Sequence, residues 1–534
     1  MKKFRYALLA VLTLSIVSSC KKYIDVNNNP NAPVIVDASS LLPPIQAGMA
    51  RGVWYDSRYL GQYAQVWGSA SANNIWDEEG YAPASDAAGE MWRTVYFSLG
   101  QNITLLWKDA IPKQKWDYVA VGYAMRAWGW QNGGDMYDHM IVKEAFDPTR
   151  LTFDYDNPQD VYAEVVKDCK TALNYMNLAI KTDGLTQSTS LAKGDYIYYG
   201  DRSKWIKFIY AILAQNAIHL SNKSNFDAAV VTKYADSSFV NNSDNASVEC
   251  KGSNSTDANF WGPSRGNIGA YKQSDYMVRL LDGRIFTGSS TPDYTLDPRI
   301  KQIISASKDG VYRGVVGSNG DPNSADANTL IPYLFGDGVT TYPSATVNGS
   351  NYGTIQRYIY NDNSRGVLMT YSELQFFKAE ALFKKGDPSG AYGAYINGIK
   401  ASLDFVSNPP QGTNLTGAQN RIGADAIAAY LAGPCVRQNA STLTLSDIMQ
   451  QKFISLFVWG NLEAWADMRK YGYSTTVFQG YTVPASIYPD NGGKQVYVVR
   501  PRYNSEYIWN IPALKAFGAT QPDYHTTKPW FILP

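Results

Sequence analysis

The apolar positions recur mostly at helical spacing. From Asp201 to Leu220, residues Trp205, Phe208, Ile209, Ile212, Leu213, Ala217 and Leu220 form one stripe, and Asp201 is placed to cap its start. Met369 to Gly386 reads the same way: Leu374, Phe377 and Ala381 share a face, and Gly386 and Pro388 stop the helix. Small residues alternate with large ones here, so a neighbouring helix can pack close. Ser389 to Leu403, rich in Gly and Ala, supplies that neighbour. The pair reads as a helical hairpin, either of tetratricopeptide type or a plain antiparallel pair. Further helices are predicted over 40–55, 90–107, 116–130, 158–180, 226–239 and 445–471, the last with a break at Gly460-Asn461. Gly133-Gly134-Asp135 reads as a helix breaker.

Two stretches lack this period. Residues 62–86 carry Trp67, Asn73, Trp76 and Tyr81 among Ser, Asn and Gly. Residues 241–365 form a Gly-, Ser- and Asn-rich insertion with Trp261 and Tyr271, and one helical run at 276–282. Loops run over the surface, so the rings of the first stretch cannot all be core residues. The tail, 483–534, reads as extended strands or loops folded onto the body.

The N-terminus has Lys2, Lys3 and Arg5 before an apolar run, Ala7 to Val17, too short to span a bilayer. Val17-Ser18-Ser19-Cys20 follows and resembles the bacterial lipobox, in which the Cys is lipidated and becomes the mature N-terminus. This divides the chain into a signal peptide (1–19), a lipidated tether (20–39) starting at Cys20, and one body (40–534).

Composition narrows the chemistry. The net charge of +1 gives no pull toward nucleic acid or anionic lipid. With 14 Trp and 39 Tyr beside abundant neutral polar residues, the chain suits surfaces that offer flat rings and hydrogen bonds together. The three His have no metal-ligand spacing, and no nucleophile elbow, phosphate loop or dinucleotide motif is present, so no metal, cofactor or catalytic residue is expected. The adjacent acids Asp77 and Glu78 read as solvated, and Asp321-Pro322-Asn323 as a turn. Of the remaining cysteines, Cys169 lies on an apolar helix stripe and reads as core.

Several short motifs then occur in one order. They begin with Asp25-Val26-Asn27, Trp92 with Tyr96, Arg126-Ala127 and Gly134-Asp135. Lys204-Trp205, Asp297-Pro298-Arg299, Tyr371-Ser372-Glu373 and Ala379-Glu380-Ala381 follow. Gln451-Lys452-Phe453, Glu463-Ala464-Trp465 and Asp467-Met468-Arg469 close the set. With the lipobox, this set resembles the SusD/RagB-like outer-membrane nutrient-binding lipoproteins over essentially the whole chain. Met136-Tyr137-Asp138 and Lys470-Tyr471-Gly472-Tyr473 depart from the family's usual runs and mark a divergent branch.

The resemblance implies an all-α fold: a tetratricopeptide-like scaffold of helical hairpins decorated with long irregular loops. It implies a cell-surface lipoprotein that captures an oligosaccharide, or a peptide in some branches, and hands it to a SusC-like TonB-dependent transporter. The competing readings are a surface glycosidase and a structural lid. Composition and loop placement, not the resemblance, single out Trp67, Asn73, Trp76, Tyr81, Trp261 and Tyr271 as ligand contacts. Trp92, Trp205 and Trp465 sit on helix stripes and read as core, so Trp205→Ala should damage the fold whereas Trp261→Ala should spare it.

Overall fold

The computed structural model describes residues 36–334, 346–347, 350–351, 358–410 and 422–534. The signal peptide, Cys20 and the tether up to residue 35 lie outside the described residues. The architecture is helical, and one core cluster runs from Ala38 to Ile532.

Asp37 opens α1 (Ala38–Tyr63) by accepting from the Ser39 N–H at 2.9 Å. The predicted 90–107 helix forms with a change of winding: Glu90–Arg93 is α-helical, Thr94–Gln101 is π-helical, and α2 (Asn102–Ala110) resumes the α form. α3 (Trp116–Tyr137) is buried on nearly every side and packs along α4 (Pro158–Asp183). The glycines expected to break α3 do not break it. A Cβ on Gly133 would sit 2.6 Å from Met140 Cε, so this glycine grants close packing inside a continuing helix. α3 ends only at Asp138, where φ is 64°.

The other hairpins follow the pattern. α5 (Arg202–His219) is capped by Asp201, whose carboxylate accepts from Lys204 N–H, and packs on α6 (Ala228–Asp236). After the seven-residue α7 (Asp275–Leu281), α8 (Tyr371–Lys385) begins in a capping box of Thr370 and Glu373 and packs along α9 (Pro388–Ser407). Gly398 of α9 sits against the Phe376 ring, the close approach that the small residues predict. α10 (Leu445–Ser455) and α11 (Asn461–Lys470) are separated at the expected break.

A charge network joins α3, α5, α8, α10 and α11 inside the protein. His219 bridges Asp135 (3.0 Å) and Glu463 (2.9 Å). Lys452 meets Glu463 (2.7 Å) and Asp467 (2.6 Å), and Lys470 meets Asp467 (3.1 Å) and Glu380 (2.8 Å). Arg469 donates to the Asp135 and Tyr497 carbonyls. All eight side chains are buried. Charges removed from water persist only when paired, so each helix must arrive for the others to be stable. Motif residues around Glu380, Lys452, Glu463 and Asp467 thus act as interior fasteners.

The irregular stretches are tied down by short antiparallel pairs. β1 (Trp67–Ser69) pairs with β3 (Tyr271–Gln273), and β2 (Ala246–Val248) with β6 (Gly366–Met369), while β4 (Thr346–Val347) pairs with β5 (Ser350–Asn351). Asp321 holds Lys272 at 2.6 Å and accepts from Asn323 N–H, so the expected turn is built on a buried ion pair. Of the strands or loops expected in the tail, loops form. Among the described residues it carries the short helices α12 (Tyr503–Trp509) and α13 (Ile511–Ala516) and no strand.

Candidate ligand-binding site

The β1–β3 pairing sets Trp67 opposite Gln273 and Ser69 opposite Tyr271, joining the first loop to the insertion. Ring centroids then chain together: Trp67 to Trp261 and to Tyr271 at 5.6 Å each, and Trp76 to Tyr81 at 5.4 Å. Tyr55, Tyr59 and Phe260 connect the two branches, with Tyr59 4.5 Å from Trp76. The five rings singled out from sequence therefore belong to one assembly.

Four of them face inward. Trp67, Trp76, Tyr81 and Trp261 are 1%, 6%, 5% and 0% exposed, so they present almost no surface to a ligand in this conformation. Trp261 is a core residue, contrary to the expectation that its removal spares the fold. Gly61 of α1 explains part of this, since a Cβ there would lie 2.5 Å from Trp67 Cε2 and the indole rests directly on the helix backbone. Asn73 stays exposed at the loop tip, with φ 54° and its N–H bonded to Ser318 O.

Buried acids clamp this loop. Asp77 is buried, not solvated: it accepts from Gln62 Nε2 (2.7 Å) and Ser69 N–H (2.8 Å). Burial outweighs those bonds and pushes its carboxyl up to about 6. Glu79 takes the Val496 N–H and the Tyr481 hydroxyl, and burial pushes it up to about 7. Both carboxylates are committed to holding backbone.

The outer layer of the assembly joins Tyr271, expected from the sequence, to three residues of α1 that were not. Tyr55, Arg58 and Tyr59 of α1, with Tyr271 of β3, are half-buried. The Arg58 guanidinium lies 4.0 Å from the Tyr55 ring centroid and 5.5 Å from those of Tyr59 and Phe260. No carboxylate among the described residues comes within 4.0 Å of it. Burial raises the Tyr59 and Tyr271 hydroxyls above their usual range, so both stay protonated and can donate. A readable signal existed: Tyr55 and Tyr59 are one turn apart, so they share a helix face.

A separate groove of about 730 Å³ opens between the π-helical segment, the 141–153 loop and α12. Trp92, Phe97, Phe146 and Phe153 line it, with Phe97 55% exposed. Phe146 takes a left-handed φ of 69°, and its ring lies where a side chain on Gly100 would be. Leu151 and Trp509, 94% and 73% exposed, lie outside its lining, next in sequence to Arg150, which lines it, and to Asn510, which bonds the Phe153 backbone at both its N–H and its C=O.

A search of curated proteins gave no match. Solved structures give the fold. A chitin-binding SusD homologue from Flavobacterium johnsoniae superposes with TM-score 0.67 at 18% identity, covering 93% of this chain and 98% of that one. A SusD/RagB family protein from Bacteroides thetaiotaomicron gives 0.67 at 18%, covering 93% and 99%. A SusD homologue from Bacteroides fragilis gives 0.67 at 20%, also covering 93% and 99%. No helix among the described residues is long and apolar enough to cross a membrane. A SusD-like family model, described as starch-binding and associating with the outer membrane, matches residues 30–488, and on that match the chain belongs to the SusD-like family.

Proposed function

We propose that this protein is a cell-surface lipoprotein, anchored through Cys20, that captures an oligosaccharide and passes it unchanged to a TonB-dependent outer-membrane transporter. The observation that carries the capture role is the half-buried layer of Tyr55, Tyr59 and Tyr271 around Arg58. Sugars pair apolar C–H faces with rings of hydroxyls, and this layer offers ring faces beside a guanidinium, with Asn73 at the tip of the loop that follows β1. Trp67, Trp76 and Trp261 hold the layer rigid from below, which lowers the ordering cost of binding. The family description and the chitin-binding relative favour a glycan over a peptide. Binding without hydrolysis is favoured because Asp77 and Glu79 are both engaged in clamping the loop. For delivery, Phe97 and Leu105 on the groove wall and the exposed side chains of Leu151 and Trp509 offer apolar surface for docking to the transporter.

The test is calorimetric titration of the full-length protein in detergent with starch and chitin oligosaccharides and with peptides, followed by analysis of the sugar for cleavage. Saturable binding of an intact oligosaccharide supports the reading. Binding of peptide alone, or release of shorter sugars, refutes it.

A further inference from the structure

Tyr81 has a second face. It closes the inner end of a cleft of about 230 Å³, whose outer wall is the C-terminal segment. Tyr503 and Tyr507, one turn apart on α12, stack at 5.8 Å with their planes 14° apart, and both line this cleft. Pro83, Asp490 and Gln521 form an exposed lip. Ala84, also on the lip, sits at φ 55°, an uncommon conformation for a residue with a side chain.

The walls are fixed in advance. Arg500 donates to the carbonyls of Ala519 (3.0 Å), Gln521 (2.8 Å) and Pro522, and Tyr507 donates its hydroxyl to Ala519 O at 2.8 Å. His525 lies at the base, bonded to Asn491 and facing Arg500. The side chains of Asp490, Thr520 and Gln521 bond to no other described residue, so their polar groups are available.

The two charges lining the cleft are of opposite sign: the Arg500 guanidinium lies 5.7 Å from the Tyr81 centroid, and the Asp490 carboxylate stands at the mouth. With the tyrosine rings between them, the cleft suits a neutral body with an apolar face and peripheral hydroxyls. The volume lies below the ~300–1,000 Å³ of drug-sized sites, so one ring is accommodated and a chain is not.

We propose that the cleft between Tyr81 and the Tyr503–Tyr507 pair is a subsite for a single neutral sugar unit. The ring stacks on Tyr503 and Tyr507, with Tyr81 closing the inner end, and its hydroxyls bond to Asp490 and Gln521. The proposal rests on the glycan-capture reading. It adds a position distinct from the Tyr55–Tyr59–Tyr271 layer, with Trp76 standing between them, 4.5 Å from Tyr59 and 5.4 Å from Tyr81.

The experiment compares full-length wild type with Tyr507→Ala, Asp490→Ala and Gln521→Ala. Each is titrated with chitin and starch oligosaccharides and with their monosaccharides, N-acetylglucosamine and glucose. Asp490 and Gln521 are exposed, so these two variants keep the fold even if Tyr507→Ala does not. The expected result is a loss of about tenfold or more in oligosaccharide affinity for each variant, with monosaccharide binding abolished. Wild-type binding with all folded variants unchanged overturns the subsite alone. Absence of wild-type binding to every sugar overturns the capture reading and the subsite with it.

Discussion

Tyr59 and Trp76 stand 4.5 Å apart, centroid to centroid, with their planes inclined at 42°. One ring is half-buried and the other is 6% exposed, so this contact marks where a presented surface meets its support. Substitutions on the two sides of it should separate binding from stability.

On the presented side, Tyr59→Ala and Tyr271→Ala should each weaken oligosaccharide binding by about tenfold, or ~1.4 kcal/mol. Their unfolding midpoints should stay close to that of the wild type. Titration beside a thermal melt checks both halves of the expectation.

On the support side, Trp261→Ala should cost about 3–5 kcal/mol, the same range as Trp205→Ala, because both rings are 0% exposed. Denaturant unfolding of the two variants measures this. A Trp261→Ala protein as stable as wild type would mean that the insertion does not pack as described.

In the interior network, Lys452→Met should destabilise by about 3–5 kcal/mol, because it leaves Glu463 and Asp467 buried with less compensating charge. The m-value should change little if the fold stays cooperative, and urea titration reports both quantities.

The two buried histidines should act on stability with opposite signs. Burial pushes His219 down, but Asp135 and Glu463 more than offset it and raise the ring to about 10 from 6.5. Its contribution is complete below pH 6.5 and is lost as pH rises from there toward 10. Burial, then Arg500, push His525 down to about 4. Its contribution is complete above pH 6.5 and is lost as pH falls toward 4. Unfolding free energy measured across pH should fall at both ends, and His525→Gln should flatten the acid limb only.

On the proposed docking surface, Leu151→Asp with Trp509→Asp should abolish co-purification with the proposed TonB-dependent transporter while leaving oligosaccharide affinity unchanged. Both side chains are largely exposed, so the melting temperature should hold. A pull-down from membranes beside a soluble titration separates the two effects.

Much of the scaffold was legible because its signals are local. Asp201 announces a helix start within three residues of the N–H it bonds, and Gly386 announces a stop. Gly133 misled because a glycine looks the same whether it breaks a helix or admits a neighbour, and only Met140 decides which. Of the five loop rings expected at a ligand, Tyr271 is half-buried and the other four are buried. Their burial depends on Trp67 meeting Gln273 and on Glu79 reaching Val496, contacts separated by hundreds of residues. The network residues could be read as a set of motifs, yet no spacing in the chain tells His219 that its partners are Asp135 and Glu463.

The π-helical turn at Thr94–Gln101 makes this stretch the natural place for the chain to change length. A π turn closes its hydrogen bonds one residue further on than an α turn, so it stores surplus chain without displacing the helices on either side. Deleting one residue there would let the segment relax toward α winding while Trp92 and Leu106 keep their seats in the core. The ring of Phe97, lying between them, would swing by about 100° around the axis. A one-residue deletion could therefore reshape the groove wall while leaving the scaffold in place.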